Sequence, residues 1–157
     1  MERITAETIR DMITLYLVTD STGMSVDVFL KKVEQACRGG VTIVQLREKE
    51  KDGLEYLGLA EKVKRITDNY GIPLIIDDRA DIAMAVGAAG VHVGQSDIPV
   101  RHLRRLLGNN KIIGASAKTV DQAKRAKDEG ADYLGVGAIY PTTTKVITRI
   151  TEISTLN

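Results

Sequence analysis

Six short apolar runs, none of which alternates with polar residues, set the tightest limit on how this chain folds. They are LYLVTD (15–20), TIVQLREK (42–49), PLIIDDR (73–79), GVHVGQSD (90–97), KIIGASA (111–117) and DYLGVGAIYP (132–141). A strand with one face in water alternates apolar with polar. A strand covered on both faces is apolar throughout, as in a parallel sheet between layers of helix.

The segments between the runs have helical spacing. In SVDVFLKKVEQACRGG, Val26, Phe29, Leu30, Val33 and Cys37 share one face. In GLEYLGLAEKVKRITDNYG, Leu54, Leu57, Val63 and Ile66 mark the apolar row, with Glu61 and Lys64 on the solvated one. VRHLRRLLG offers Val100, Leu103, Leu106 and Leu107. Helix stops are expected at Gly39-Gly40, Gly71, Gly90, Gly108 and Gly130. Glycine takes the left-handed position after a helix without a Cβ clash. Repeated strand and helix implies parallel pairing, because a crossover helix separates successive strands. Strand starts recur at roughly 20–30 residues, the pace of a (β/α) barrel. A doubly wound sheet would carry a glycine-rich phosphate turn after its first strand. The turn here is TDSTGMS, which is not G-x-G-x-x-G. The expected fold class is α/β, a parallel (β/α) TIM-barrel type with about six of eight strands. One domain is expected over 1–145, with an atypical tail over 146–157.

In such a barrel the C-terminal ends of all strands open on one face. The polar residues of this chain collect there: Asp20; Gln45, Arg47 and Lys49; Asp77, Asp78 and Arg79; Gln95 and Asp97; Ser116; and Thr142, Thr143, Thr144 and Lys145. Asp78 and Asp97 end neighbouring strands. Two converging carboxylates repel unless one is protonated or a cation joins them. Magnesium, held by one or two carboxylates with phosphate oxygens completing its octahedron, is one solution. A solvated acidic rim paired with Arg79 is the other, and charge spacing alone leaves both open. The hydroxyls and lysine of YPTTTK suit phosphate oxygens, and equally suit an ordinary polar turn.

Composition removes several function classes. The 157-residue chain has a net charge of +1, no Trp and one Phe. It therefore has neither the basic field nor the aromatic platforms of a nucleic-acid binder. Cys37 is the sole cysteine, so no disulfide forms within the chain, and it reads as a small buried hydrophobe. No signal-peptide segment or membrane-length apolar run is present, so a cytoplasmic location without membrane partners is expected. His92 falls inside an apolar strand and reads as structural; His102, among arginines, reads as solvated.

QLREK, DDR followed by HVGQSD, GASAKT and GVGAIYPTTTK, in that order and spacing, resemble the thiamine phosphate synthase family. The resemblance runs from about residue 13 to Lys145. It implies a (β/α)₈ barrel enzyme that joins hydroxymethylpyrimidine diphosphate to thiazole phosphate, releasing pyrophosphate with the help of Mg²⁺. Its small-molecule substrates would be the partners. Gln45, Arg47 and Lys49 match the motif that holds the pyrimidine diphosphate. Asp78 and Asp97 match its magnesium ligands, and Ser116 a serine near the pyrimidine. Thr142 and Thr144 match contacts to the thiazole phosphate, and Lys145 a contact to pyrophosphate. Lys49, Ser116 and Lys145 are the implied catalytic residues. Asp77 stands where the family commonly has Asn, so its role in holding diphosphate is in question; Lys118 stands where many relatives have His.

The resemblance weakens after Lys145. VITRITEISTLN contains no glycine and does not match the family's continuation. A barrel lacking two strands would leave sheet edges open, so impaired coupling and homo-oligomer formation through those edges are expected. Two rival readings are a thiazole tautomerase-type paralogue, which needs no diphosphate and metal site, and a non-catalytic phosphate-binding remnant.

Overall fold

A computed structural model describes residues 5–140 of the chain. Its elements follow the order α1 (Ala6–Met12), β1 (Tyr16–Val18), α2 (Val26–Arg38), β2 (Ile43–Leu46), α3 (Gly53–Asn69), β3 (Leu74–Asp77), α4 (Ala80–Ala85), β4 (Gly90–Val93), α5 (Val100–Leu107), β5 (Ile112–Ala117), α6 (Val120–Asp128) and β6 (Tyr133–Val136). All six strands lie inside the apolar runs. They form one sheet in the order β1-β2-β3-β4-β5-β6, every pair parallel. The fold class expected from the sequence is the one observed, a curled part-barrel of six strands wrapped by helices.

Polar side chains start the helices. Thr5, Ser25 and Thr119 each accept a hydrogen bond from a backbone N–H of the first turn. Asp52 and Glu55 make a reciprocal capping box at α3. Each cap satisfies backbone donors that the helix leaves unpaired. Glycines with positive φ follow α2 (Gly40), α3 (Gly71), α5 (Gly108) and α6 (Gly130). The stop expected at Gly90 is displaced: α4 ends at Ala85, and Gly87 takes the left-handed position. Gly90 instead opens β4, where a Cβ would overlap the backbone of Ile112 on β5. It marks a close approach of strands, not a helix end.

Outside the sheet, Phe29, Val33 and Cys37 of α2 and Tyr56, Leu59 and Val63 of α3 pack on Val44, Leu46, Leu74 and Ile76. Val100, Leu103 and Ala126 cover Val91, Val93, Ile113 and Ala115. Of the apolar row expected on α3, Val63 is buried and Leu57 and Ile66 pack against the core, but Leu54 does not. Leu54 is 81 % exposed, whereas Tyr56, Leu59, Ala60, Val63 and Thr67 are buried. Burying one such apolar side chain contributes about 1.5–3 kcal/mol, so the stabilising row of α3 runs through Tyr56 and Val63, not Leu54. Leu106 of α5 is likewise exposed, and so is Val26 of α2.

Inside the curl, Ile43, Ile75, Ile112 and Tyr133 cluster with Ile9 of α1. These isoleucines start their strands, so α1 closes the N-terminal end of the interior. The opposite end is left for the polar residues. No helix among the described residues is long and apolar enough to cross a membrane.

Candidate functional site

Strand parity places the polar residues. On β2, Ile43 and Gln45 point inward while Val44 and Leu46 pack outward. The same alternation puts Asp77 and His92 on the inner face, opposite each other in the β3–β4 register. Ser116 follows on β5, beside Gly135 of β6.

Lys49 occupies the centre of the mouth. Its ammonium lies 2.9 Å from Asp77 Oδ2 and also contacts Asp78 Oδ2. Arg47 Nε approaches the same Asp77 oxygen at 3.8 Å, and the Arg47 backbone N–H donates to Thr19 Oγ1 at 3.2 Å. Burial disfavours the charged form of Lys49, but its bonds to Asp78 and Asp77 outweigh that and hold its pKa above the ordinary value. Asp77 is 7 % exposed, and two cations face its carboxylate. Arg79 does not join this group. It turns away to a bidentate pair with Asp81, at 2.9 and 2.6 Å. The acidic rim is therefore paired by Lys49, not by Arg79.

Asp78 has φ +61°, the only described non-glycine residue in the left-handed region. That conformation costs an L-residue about 1–2 kcal/mol. Its N–H donates to the His92 carbonyl at 2.8 Å, which fixes the turn. The turn sets the Asp78 carboxyl beside that of Asp97. Burial, and then the neighbouring Asp78, push Asp97 above the usual carboxylate range, against the Gly94 N–H that donates to it at 2.7 Å. Among the described residues, no three His, Cys, Asp or Glu side chains are grouped to hold a metal by themselves. The fit to magnesium rests on the pair: two facing carboxylates whose repulsion a hard cation would relieve.

Ser116 is half-buried at the end of β5 and hydrogen-bonds His92 Nε2 at 2.9 Å. His92 Nδ1 meets Tyr133 Oη at 3.1 Å, Tyr133 Oη meets Tyr16 Oη at 2.6 Å, and Gln45 Nε2 donates to Tyr16 Oη at 2.9 Å. Gln95 lies at the rim, donating to the Ser116 carbonyl at 2.6 Å and accepting from Arg125 at 2.6 Å. Beside the mouth, Glu48 Oε2 accepts from Ser21 at 2.7 Å, while its buried Oε1 has no hydrogen-bond partner among the described residues.

Gln45, Arg47, Lys49, Asp77, Asp78, Asp97 and Ser116 are therefore brought to one end of the sheet. Thr142, Thr143, Thr144 and Lys145 lie outside the described residues. The sequence analysis misses Tyr16, Tyr133 and the link from His92 to Ser116. A signal was present: Gly114 and Gly135 interrupt otherwise apolar strands, and such glycines mark close approach by other groups. His92 is buried and hydrogen-bonded, as a structural histidine would be, yet one of its partners is a candidate substrate contact.

Comparison with known proteins agrees with this arrangement. The sequence profile of the family described as thiamine monophosphate synthase matches residues 15–157, and so takes in the segment 146–157. Thiamine-phosphate synthase 2 of Streptococcus pneumoniae serotype 4 is 57 % identical over 147 residues, 94 % of this chain and 70 % of the relative. The thiamine-phosphate synthase of Enterococcus faecalis is 57 % identical over 136 residues, 87 % of this chain and 64 % of its own length. The structure of a thiamine phosphate pyrophosphorylase from Pyrococcus furiosus superposes with a TM-score of 0.83 at 32 % identity, covering 94 % of this chain and 69 % of that one. The chain belongs to the thiamine monophosphate synthase family.

Proposed function

We propose that this chain acts as a thiamine phosphate synthase, coupling hydroxymethylpyrimidine diphosphate to thiazole phosphate with release of pyrophosphate. The observation that carries the reading is the contact of Lys49 with Asp78 while the Asp78 and Asp97 carboxyls face one another. That combination suits a diphosphate bridged by a divalent cation, and has no evident use in a purely structural rim.

Each residue has a part that follows from its chemistry. Arg47 and Lys49 supply positive charge for the diphosphate oxygens, Lys49 exchanging carboxylate for phosphate when substrate enters. Asp78 and Asp97 would hold Mg²⁺, which when bound offsets the charge that develops on the departing pyrophosphate. Gln45 and Ser116 offer an amide and a hydroxyl to the aminopyrimidine. The C–O bond to the diphosphate breaks and pyrophosphate leaves with the electron pair. The amino-substituted ring stabilises the positive charge left on its exocyclic carbon, and the thiazole nitrogen lone pair forms the new C–N bond. No proton need be taken up by a side chain. Thr142, Thr144 and Lys145 are proposed to receive the thiazole phosphate and pyrophosphate.

The test is a coupling assay with both substrates and Mg²⁺, reading thiamine phosphate and pyrophosphate, beside calorimetric titration with the pyrimidine diphosphate. Magnesium-dependent binding that Asp78→Asn and Asp97→Asn each abolish is the expected result. Binding by the wild type that is indifferent to magnesium would overturn the roles of the two carboxylates.

A further inference from the structure

The hydrogen bonds on the inner face have a direction, and it ends on Ser116. Gln45 Nε2 has no lone pair to offer, so it donates to Tyr16 Oη at 2.9 Å. Among the described residues the Tyr16 hydroxyl has only one other partner, Tyr133 Oη, 2.6 Å away. With Gln45 donating to it, Tyr16 gives its proton to Tyr133, its one other described partner. Tyr133 then donates to His92 Nδ1 at 3.1 Å. A neutral imidazole that accepts at Nδ1 carries its proton on Nε2. That nitrogen donates to Ser116 Oγ at 2.9 Å, leaving Ser116 with its own proton to give away.

We propose that Tyr133 and His92 are positioning residues that fix the Ser116 hydroxyl as a hydrogen-bond donor into the mouth. The inference rests on the functional reading above and deepens it. An aminopyrimidine offers lone pairs on its ring nitrogens and N–H donors on its amino group. A serine held as a donor selects a ring nitrogen and discriminates against a ring that presents N–H there. Gln45, at the other end of the series, is tied to the same orientation, so the two sides of the pyrimidine subsite are set together. Gly114 is part of the device, since a Cβ there would overlap both Tyr133 and His92.

Two measurements on the whole chain test this. The first is the His92 tautomer, read by long-range proton–nitrogen NMR. The chain has two histidines, and exposed His102 is replaced by Gln to leave one imidazole. The expected result is an Nε2–H tautomer that Tyr133→Phe converts to a mixture or to Nδ1–H. An Nδ1–H tautomer in the otherwise native chain overturns the proposal. The second is a double-mutant cycle on affinity for hydroxymethylpyrimidine diphosphate. Tyr133→Phe is expected to weaken binding about 3- to 10-fold, the worth of one neutral hydrogen bond, and under about 2-fold in a Ser116→Ala background. Equal losses in both backgrounds overturn the relay. His92→Gln, whose amide reaches the Nε2 position, should recover part of the affinity that His92→Asn loses; that pair decides the matter if Tyr133→Phe fails to fold. If the native chain does not bind the pyrimidine diphosphate, the functional reading fails, and the tautomer alone decides the direction of the series.

Discussion

The hydroxyls of Tyr16 and Tyr133 lie 2.6 Å apart, although the residues sit 117 positions apart on the first and last strands of the described sheet. Only a curled sheet lets its two edge strands meet through side chains. The rings also pack, with centroids 5.7 Å apart. Tyr16→Phe keeps the ring and removes the hydroxyl, leaving Gln45 Nε2 without its acceptor. A buried donor left unpaired costs about 1–3 kcal/mol. Urea denaturation should show that loss with an unchanged m-value; a shift below about 0.5 kcal/mol would mean that water replaces the hydroxyl.

The same tyrosines predict an alkaline weakness. Burial, opposed by its hydrogen bonds with Tyr133 and Gln45, pushes the Tyr16 hydroxyl from its ordinary 10.0 up to about 12. Burial raises Tyr56 and Tyr133 still further. A raised pKa means that the folded state holds the proton more tightly than the unfolded chain. The contribution is therefore complete below pH 10 and fades as pH rises through the folded value. Between about pH 10 and 12 each such tyrosine lowers stability by up to about 1.4 kcal/mol per pH unit. Urea midpoints across that window should fall steeply in the native chain, and less steeply by one proton's worth in Tyr16→Phe. Parallel slopes would show that Tyr16 ionises as freely in the fold as out of it.

Gly114→Ala tests how closely the inner face is filled. The new methyl would overlap Tyr133 Cζ and Oη and His92 Nδ1. Overpacking of this kind costs about 1–3 kcal/mol or more, because rings held on both sides cannot swing aside. In a Tyr133→Ala background the same methyl meets only His92, and its added cost should shrink. A comparison of thermal melts of the four proteins measures the difference. An equal penalty with and without the ring would place the obstacle elsewhere.

The sequence made the sheet legible because strands buried on both faces read as unbroken apolar runs, and six such runs with helices between them leave few topologies. Gln45, Lys49, Asp78, Asp97 and Ser116 were legible as a set for the same reason: parallel strands bring all their C-terminal ends to one face. The inward direction of Tyr16, His92 and Tyr133 was not, since a run without alternation carries no sign of which side chains face inside. Nor does local pattern register a contact across 117 residues. On α3, Tyr56 escaped notice because, with its hydroxyl donated to the Leu46 carbonyl at 2.7 Å, it counts as half-polar by pattern yet is buried in fact. Gly90 looked like a helix stop because glycine serves both ends, and only the nearness of Ile112 separates the two uses.

Asp77 places a buried anion in the mouth, and its geometry says what an exchange to asparagine would do. Its carboxylate draws Lys49 to 2.9 Å and Arg47 Nε to 3.8 Å, the two cations proposed to receive the diphosphate. A diphosphate entering the mouth must pull both from a buried anion and then sit beside that anion. Asp77→Asn removes the competitor and the repulsion together, and its amide can donate to a phosphate oxygen. The ligand-free fold should lose some stability, since Lys49 and Arg47 then face each other with only Asp78 to separate their charge. Affinity for hydroxymethylpyrimidine diphosphate with magnesium should rise, by roughly tenfold for about 1.4 kcal/mol of relieved repulsion. Titration calorimetry on both proteins measures the change. Weaker binding by Asp77→Asn would show instead that the carboxylate holds Lys49 and Arg47 in the positions the diphosphate needs.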